Sequence, residues 1–389
     1  MTSFGIDVLL ASKCDWQHKR IALVTNHAAT TNQLVASRKA LLDKGFNIVK
    51  LFSPEHGLDV KGADGVKMAD GVDSLTLLPI VSLYGDFLQP QQKDLEDVDV
   101  VLFDIPDVGC RFYTYLWTMT HVMEACARYQ KLLVILDRPN PISGNISTAE
   151  GPMLDERNCS SFIGRWDIPL KHNCTLGELA NYFNRSRNLH LNLKVIKCEG
   201  RARTMFQPDW GIGFVPTSPA IRSFEQVLLY PGLGLLEATN ISEGRGTDLP
   251  FKMIGAPWLN SQELISSLTD FSLQGISFTS CFFTPSESKY ANQYCNGIIC
   301  EVTNKDLFMP VLFGFLLIKI VKDLHPLQFK PATYPTNVNP MGKGHLDKLT
   351  GIYESEKLFD LPLNVFIKKI NSTIKTENWP SVISPYLLY

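Results

Sequence analysis

Residues 98–103 (VDVVLF) run directly into residues 104–115 (DIPDVGCRFYTY), and this junction decides the fold. Five of its first six positions are apolar, which suits a strand covered on both faces; a sheet with one wet face would alternate apolar and polar side chains. The next residues are polar and turn-forming: Asp104, Asp107 and Gly109, then Arg111 and two tyrosines at the head of a helical pattern. A buried strand that ends in a polar loop and feeds a helix is the repeating unit of a parallel α/β sheet.

The same unit recurs through the first half of the chain. Residues 20–25 (RIALVT), 47–52 (NIVKLF) and 131–136 (KLLVIL) read as further buried strands, with helical patterns at 34–44 and 113–129. In the latter, Leu116, Met119, Val122, Met123 and Cys126 recur at three- and four-residue spacing. Thr175 and Glu178 form the T-x-x-E capping box of a helix to about residue 184, which assigns Glu178 to capping, and a strand comes after it at 193–198. Residues 207–218 (QPDWGIGFVPTS) break the pattern and read as a loop at a boundary or cleft wall. Beyond it lie a strand at 297–302 and helices at 306–323 and 365–371. The expectation is an α/β protein: a Rossmann-like parallel sheet in an N-terminal domain, 1–225, and a smaller α/β or α+β C-terminal domain, 226–389, that completes a cleft.

Composition narrows the function. The 37 basic and 39 acidic residues of this 389-residue chain nearly cancel and form no charged block, which argues against nucleic acid or an anionic membrane as partner. The most apolar run, 311–318, falls far short of the ~18 residues of a spanning helix. Nine scattered cysteines without a Cys-x-x-Cys pair read as reduced thiols and not as a zinc site. No cationic and apolar leader opens the sequence, and a cytoplasmic protein is expected.

Chemistry gathers at the strand ends, where open parallel sheets bind ligands. The first strand runs into Asn26 and His27, the second into Ser53, Pro54, Glu55, His56 and Gly57, the third into Asp104, Asp107 and Arg111, and the fourth into Asp137, Arg138 and Asn140. Glu55 stands on a stiff turn, after Pro54 and ahead of His56 and Gly57, and is a candidate for a functional role. Asp104 reads as a cap and Asp107 as support for Arg111. His27, His56, Glu55 and Asp104 also admit a metal-dependent hydrolase, although no metal-ligand run such as His-Glu-x-x-His occurs. A second polar cluster, 240–247 (NISEGRGT), sets Glu243 and Arg245 among glycines that permit tight turning. The PGLG stretch at 231–234 lacks the third glycine of a dinucleotide fingerprint, and neither a Walker motif nor a G-x-S-x-G elbow is present, so no cofactor is expected.

Taken together, SPEHGL (53–58), SLYG (82–85), DIPDVGCRFYTY (104–115), LDRPNPISG (136–144), EGPML (150–154), NISEGRGT (240–247) and PFKMIGAPW (250–258) resemble the exo-β-N-acetylmuramidase family called NamZ. The likeness runs from Gly5 past Tyr290; Pro106 departs from it where the family carries glutamine, and Asn173 where glycine comes after the histidine. The resemblance implies a glycosidase that releases N-acetylmuramic acid from the non-reducing end of peptidoglycan fragments such as MurNAc-GlcNAc, in cell-wall recycling. Such hydrolysis needs a proton donor and stabilisation of an oxocarbenium-like centre, usually from two carboxyl groups. Glu55 is the candidate acid, with Glu243 or Glu150 as the second carboxylate; alternatively the substrate's own acetamido group attacks. Arg111, Arg138 and Arg245 are candidates to grip the lactyl carboxylate, with His56, Asp107 and Asn140 as further sugar contacts. Tyr113, Tyr84 and Trp258 are candidates to stack on the sugar ring. The partner is then a muramyl sugar, no metal is needed, and a homodimer is allowed for. A metal-dependent hydrolase and a non-catalytic muramyl-sugar-binding protein are the rival readings.

Overall fold

A computed structural model describes residues 2–389. Its strands are β1 (Ile21–Thr25), β2 (Ile48–Ser53), β3 (Gly71–Val72), β4 (Pro79–Ser82), β5 (Val100–Asp104), β6 (Leu132–Leu136), β7 (Glu150–Met153), β8 (Pro169–Lys171), β9 (Leu193–Ile196), β10 (Met253–Ala256), β11 (Ile276–Phe283) and β12 (Cys295–Val302). The central sheet has seven strands in the order β3-β4-β2-β1-β5-β6-β9, all parallel to their neighbours except the antiparallel β3 at one edge. A smaller antiparallel sheet, β10-β12-β11, lies in the C-terminal part, and β7 pairs with β8. The expected α/β class, with a mostly parallel sheet and a smaller second domain, is what the chain forms.

Alternation along the buried strands explains why they are apolar throughout. Ile21 and Leu23 of β1 join Leu51, Val100, Leu102, Val134 and Leu136 in one buried cluster, while Ala22 and Val24 join Phe52, Val101, Phe103, Leu133 and Ile135 in another. The two clusters are the two faces of the sheet. The second cluster continues without a break into Ile254, Ile298, Val311 and Phe315 of the C-terminal part, so the smaller domain is fused to one face of the large sheet.

Helix starts differ from the sequence reading where a local residue overrides periodicity. The helix expected from 306 begins at Pro310 (Pro310–Leu324), because proline's fixed φ and missing N–H suit a first helical position. The glycines of the PGLG stretch serve packing: a Cβ on Gly232 would come within 2.1 Å of the Pro310 carbonyl oxygen, so the helices Phe224–Leu233 and Pro310–Leu324 cross at backbone contact. Residue 225, where the sequence reading parts the domains, is the second residue of the former helix. The last residues return to the N-terminal domain, where Tyr389 donates its hydroxyl proton to Asp137 at 2.7 Å and the Leu388 N–H bonds Glu178 at 3.0 Å. Among the described residues no helix is long and apolar enough to cross a membrane.

Candidate active site

The parallel strands end in register: Thr25 lies beside Asp104, and Ser53 beside Ser82. This places the loop after β2 next to the loop after β4, and the C-terminal part closes over both. The resulting cleft spans about 600 Å³, part of it open to solvent, and is walled by Glu55, His56, Asp64 and Tyr84 from the first half, Tyr113 from the loop after β5, and Glu237, Arg245, Tyr334 and His345 from the second half.

Glu55 sits where the turn after β2 folds back on itself. Gly57 N–H closes the turn on the Pro54 carbonyl at 3.1 Å, and the His27 N–H bonds the Leu58 carbonyl at 2.7 Å, tying the turn to the end of β1. His56 takes a left-handed conformation (φ 67°), and its Nδ1 lies 2.8 Å from the Gly62 carbonyl. A carbonyl only accepts, so Nδ1 carries a proton there. Glu55 is 7% exposed, and its Oε1 accepts the Gly65 N–H at 2.8 Å. Burial, and then the nearby Glu55 charge, pushes the Tyr84 phenol well above its usual range.

Opposite Glu55 is a charge cluster centred on Arg245. Its Nη1 meets Asp64, its Nη2 lies 2.7 Å from Glu237 and its Nε 3.2 Å from Glu243, with the Phe251 ring 4.9 Å from the guanidinium. Glu243 takes a second cation, Lys289, at 2.8 Å. Burial acts to raise the Glu237 pKa, but the His345 ring and Arg245 outweigh it and hold the carboxyl down at about 2. Asp64 goes the other way: burial pushes its carboxyl up against the pull of Arg245. Burial would likewise lower Arg245, but Asp64 and its other anionic neighbours raise it well above the ordinary value.

Of the residues singled out from sequence, Glu55, His56, Tyr84, Tyr113 and Arg245 meet in this cleft. The others do not line this cleft. Arg111 is fully buried and donates to the carbonyls of Pro152, Ile168 and Leu349 at 2.6, 3.0 and 3.1 Å. Glu150 accepts the N–H groups of Val311 and Leu312 and pairs with Lys171 at 3.0 Å, so its carboxylate caps the helix Pro310–Leu324. Asn140 Nδ2 donates to the Cys174 carbonyl at 3.0 Å, and its Oδ1 accepts the Ile142 N–H, also at 3.0 Å. Glu243 is 1% exposed and lies behind Arg245. Arg138 is bidentate to Asp104 and lines, with Asp107, Phe4 and Trp210, a separate hollow of about 510 Å³ at the ends of β1 and β5. Trp258 bonds Tyr290 at 3.0 Å away from the cleft walls. Of the metal reading's residues, His27 is exposed and Asp104 is occupied by Arg138; among the described residues no three His, Cys, Asp or Glu side chains are grouped to hold a metal ion.

Four wall residues escaped the sequence reading: Asp64, Glu237, Tyr334 and His345. Asp64 lies eleven residues past the end of β2 in a GADG turn, and Glu237 comes just after the PGLG stretch, so only the glycines nearby hinted at a built turn. Tyr334 and His345 stack at 4.6 Å in a segment with no periodicity at all.

Comparison with known proteins bears on this geometry. Two profiles, "Exo-beta-N-acetylmuramidase NamZ, N-terminal" and "Exo-beta-N-acetylmuramidase NamZ, C-terminal", match residues 21–225 and 228–389. The chain is 40% identical over 349 residues to the peptidoglycan β-N-acetylmuramidase NamZ of Bacillus subtilis (strain 168), covering 89% of this chain and 81% of that one. Two crystal structures of DUF1343 family proteins from Bacteroides fragilis NCTC 9343 superpose with TM-scores of 0.87 and 0.74 at 28% and 27% identity, each over 100% of this chain and 99% of the other. With both halves matched and a relative this similar over most of its length, the chain belongs to the exo-β-N-acetylmuramidase NamZ family.

Proposed function

We infer that this protein is an exo-acting glycosidase that releases N-acetylmuramic acid from the non-reducing end of peptidoglycan fragments such as MurNAc-GlcNAc. The observation that carries the reading, beside family membership, is the cleft itself: a buried Glu55, held by the Gly65 N–H, shares with the Arg245 guanidinium a cleft walled by tyrosines.

Each wall residue has a task in that reaction. The Gly65 N–H and the Tyr84 phenol hold the Glu55 carboxyl in place to deliver a proton to the departing glycosidic oxygen. Asp64, the most exposed of the carboxylates on Arg245, replaces Glu243 and Glu150 as the second carboxylate near the sugar; the acetamido group of the substrate itself is the alternative nucleophile. Arg245 is the arginine at hand for the lactyl carboxylate, with Glu243 and Glu237 orienting it. Tyr84, Tyr113 and Tyr334 supply faces for the pyranose ring. We assign residues 226–389 to the domain that completes the cleft. All nine cysteines are free, which supports a reducing compartment and hence recycling of muropeptide sugars in the cytoplasm; a homodimer is compatible with this reading.

The test is release of N-acetylmuramic acid from a chromogenic muraminide. Glu55→Gln should lower kcat by about 10²- to 10⁴-fold, the usual worth of a placed acid, while the protein stays folded. Activity within about threefold of wild type would remove Glu55 from the role, since no acid catalyst is worth so little.

A further inference from the structure

A sugar that carries a carboxylate enters a cleft already rich in carboxylates, and each nitrogen of Arg245 already faces one. Asp64 covers Nη1, Glu237 lies 2.7 Å from Nη2, and Glu243 lies 3.2 Å from Nε. These three carboxylates are not held alike. Glu243 is also fixed by Lys289 at 2.8 Å and is 1% exposed; Glu237 also faces His345 Nε2 at 3.7 Å, with its side chain 8% exposed. Asp64 comes from the opposite domain, and its side chain is 25% exposed. Apart from Arg245, its one charged or ring partner among the described residues is His56 Nε2, 3.6 Å away. The Nδ1 proton of that ring is directed to the Gly62 carbonyl and not to Asp64.

We propose that Asp64 occupies the place on Arg245 that the lactyl carboxylate of N-acetylmuramic acid takes, and that the sugar binds by exchanging its own carboxylate for that of Asp64. The proposal rests on the muramidase reading above and names the residue that sets its sugar preference. Exchange is isoelectric at the guanidinium: one carboxylate leaves as another arrives, while Glu237, Glu243 and the Phe251 ring keep Arg245 in place. N-Acetylglucosamine has no carboxylate to exchange, so Asp64 stays across the guanidinium and the ring is kept out. Discrimination then comes from a competitor built into the protein as well as from the attraction of the arginine.

Inhibition of the wild type, Asp64→Asn and Asp64→Ser by free N-acetylmuramic acid and free N-acetylglucosamine tests this. Removing the competitor should tighten N-acetylmuramic acid about tenfold in both variants, even as kcat on a muraminide falls, and should tighten N-acetylglucosamine by at least as much, so that the preference between the two sugars narrows. A crystal structure with N-acetylmuramic acid bound should show the lactyl group on Arg245 Nη1 and Asp64 turned away. Unchanged or weakened binding of N-acetylmuramic acid in both variants, or a complex in which Asp64 still pairs with Arg245, would overturn the exchange. A wild type that neither hydrolyses a muraminide nor binds N-acetylmuramic acid would instead overturn the muramidase reading.

Discussion

At the scale of the residue, the cleft depends on a few backbone positions that hold charge still. The N–H that fixes Glu55 belongs to Gly65, whose φ is 67° and whose added Cβ would lie 2.6 Å from the Thr336 side chain. Gly65→Ala should therefore disturb the acid and the domain contact together: kcat/KM on a muraminide falls at least about tenfold, and stability falls by about 1–2 kcal/mol from the left-handed conformation alone. Steady-state kinetics with thermal denaturation on the same samples checks both. Only some of these residues are legible in the sequence. Glu55, His56 and Arg245 stand out as charges beside proline or glycine, and they do line the cleft. Arg111, Arg138, Asn140 and Glu150 look the same in sequence but find their partners inside the protein. A buried polar group must be partnered wherever it lies, and sequence does not say whether the partner is a carbonyl or a substrate.

At the scale of the element, the strands of the large sheet are readable because burial on both faces leaves an unbroken apolar run. Of the smaller sheet only β12, read at 297–302, is legible: β11 exposes residues on both of its faces and β10 is four residues long, so neither gives a clear period. The joints between elements carry measurable stability. Glu150 caps the helix Pro310–Leu324 and pairs with Lys171, so Glu150→Gln leaves that lysine buried without its counter-charge and should cost about 3 kcal/mol of stability, with KM within about twofold of wild type. Urea denaturation and steady-state kinetics separate that structural role from a catalytic one. Tyr389 bonds Asp137, whose carboxyl is pushed by burial up to about 6 despite the donors from Thr175, Gly177 and Tyr389. Tyr389→Phe removes one donor from a buried carboxyl and should lower the stability by about 1–3 kcal/mol in the same denaturation assay.

At the scale of the whole molecule, two units share one continuous core and meet again at the Arg245 cluster, where Asp64 comes from one side and Arg245, Glu237 and His345 from the other. The cluster should make the assembly acid-sensitive. Glu237 is held at about 2 against an ordinary 4.5, so its stabilising contribution is complete above pH 4.5 and is lost as the pH falls toward 2. Acid unfolding monitored by fluorescence should be flatter over that window in Glu237→Gln than in wild type. This convergence of distant segments is what sequence could not supply, since Tyr334 and His345 reach the cleft from a segment without pattern. The central claim is that the cleft cuts a muramyl sugar from a chain end. It is tested most directly by incubating the wild type with two defined peptidoglycan oligosaccharides, one ending at its non-reducing side in N-acetylmuramic acid and one in N-acetylglucosamine, and tracking products by mass spectrometry. The account predicts that the first releases free N-acetylmuramic acid one residue long and the second stays intact; internal cleavage, or equal attack on both, would contradict it.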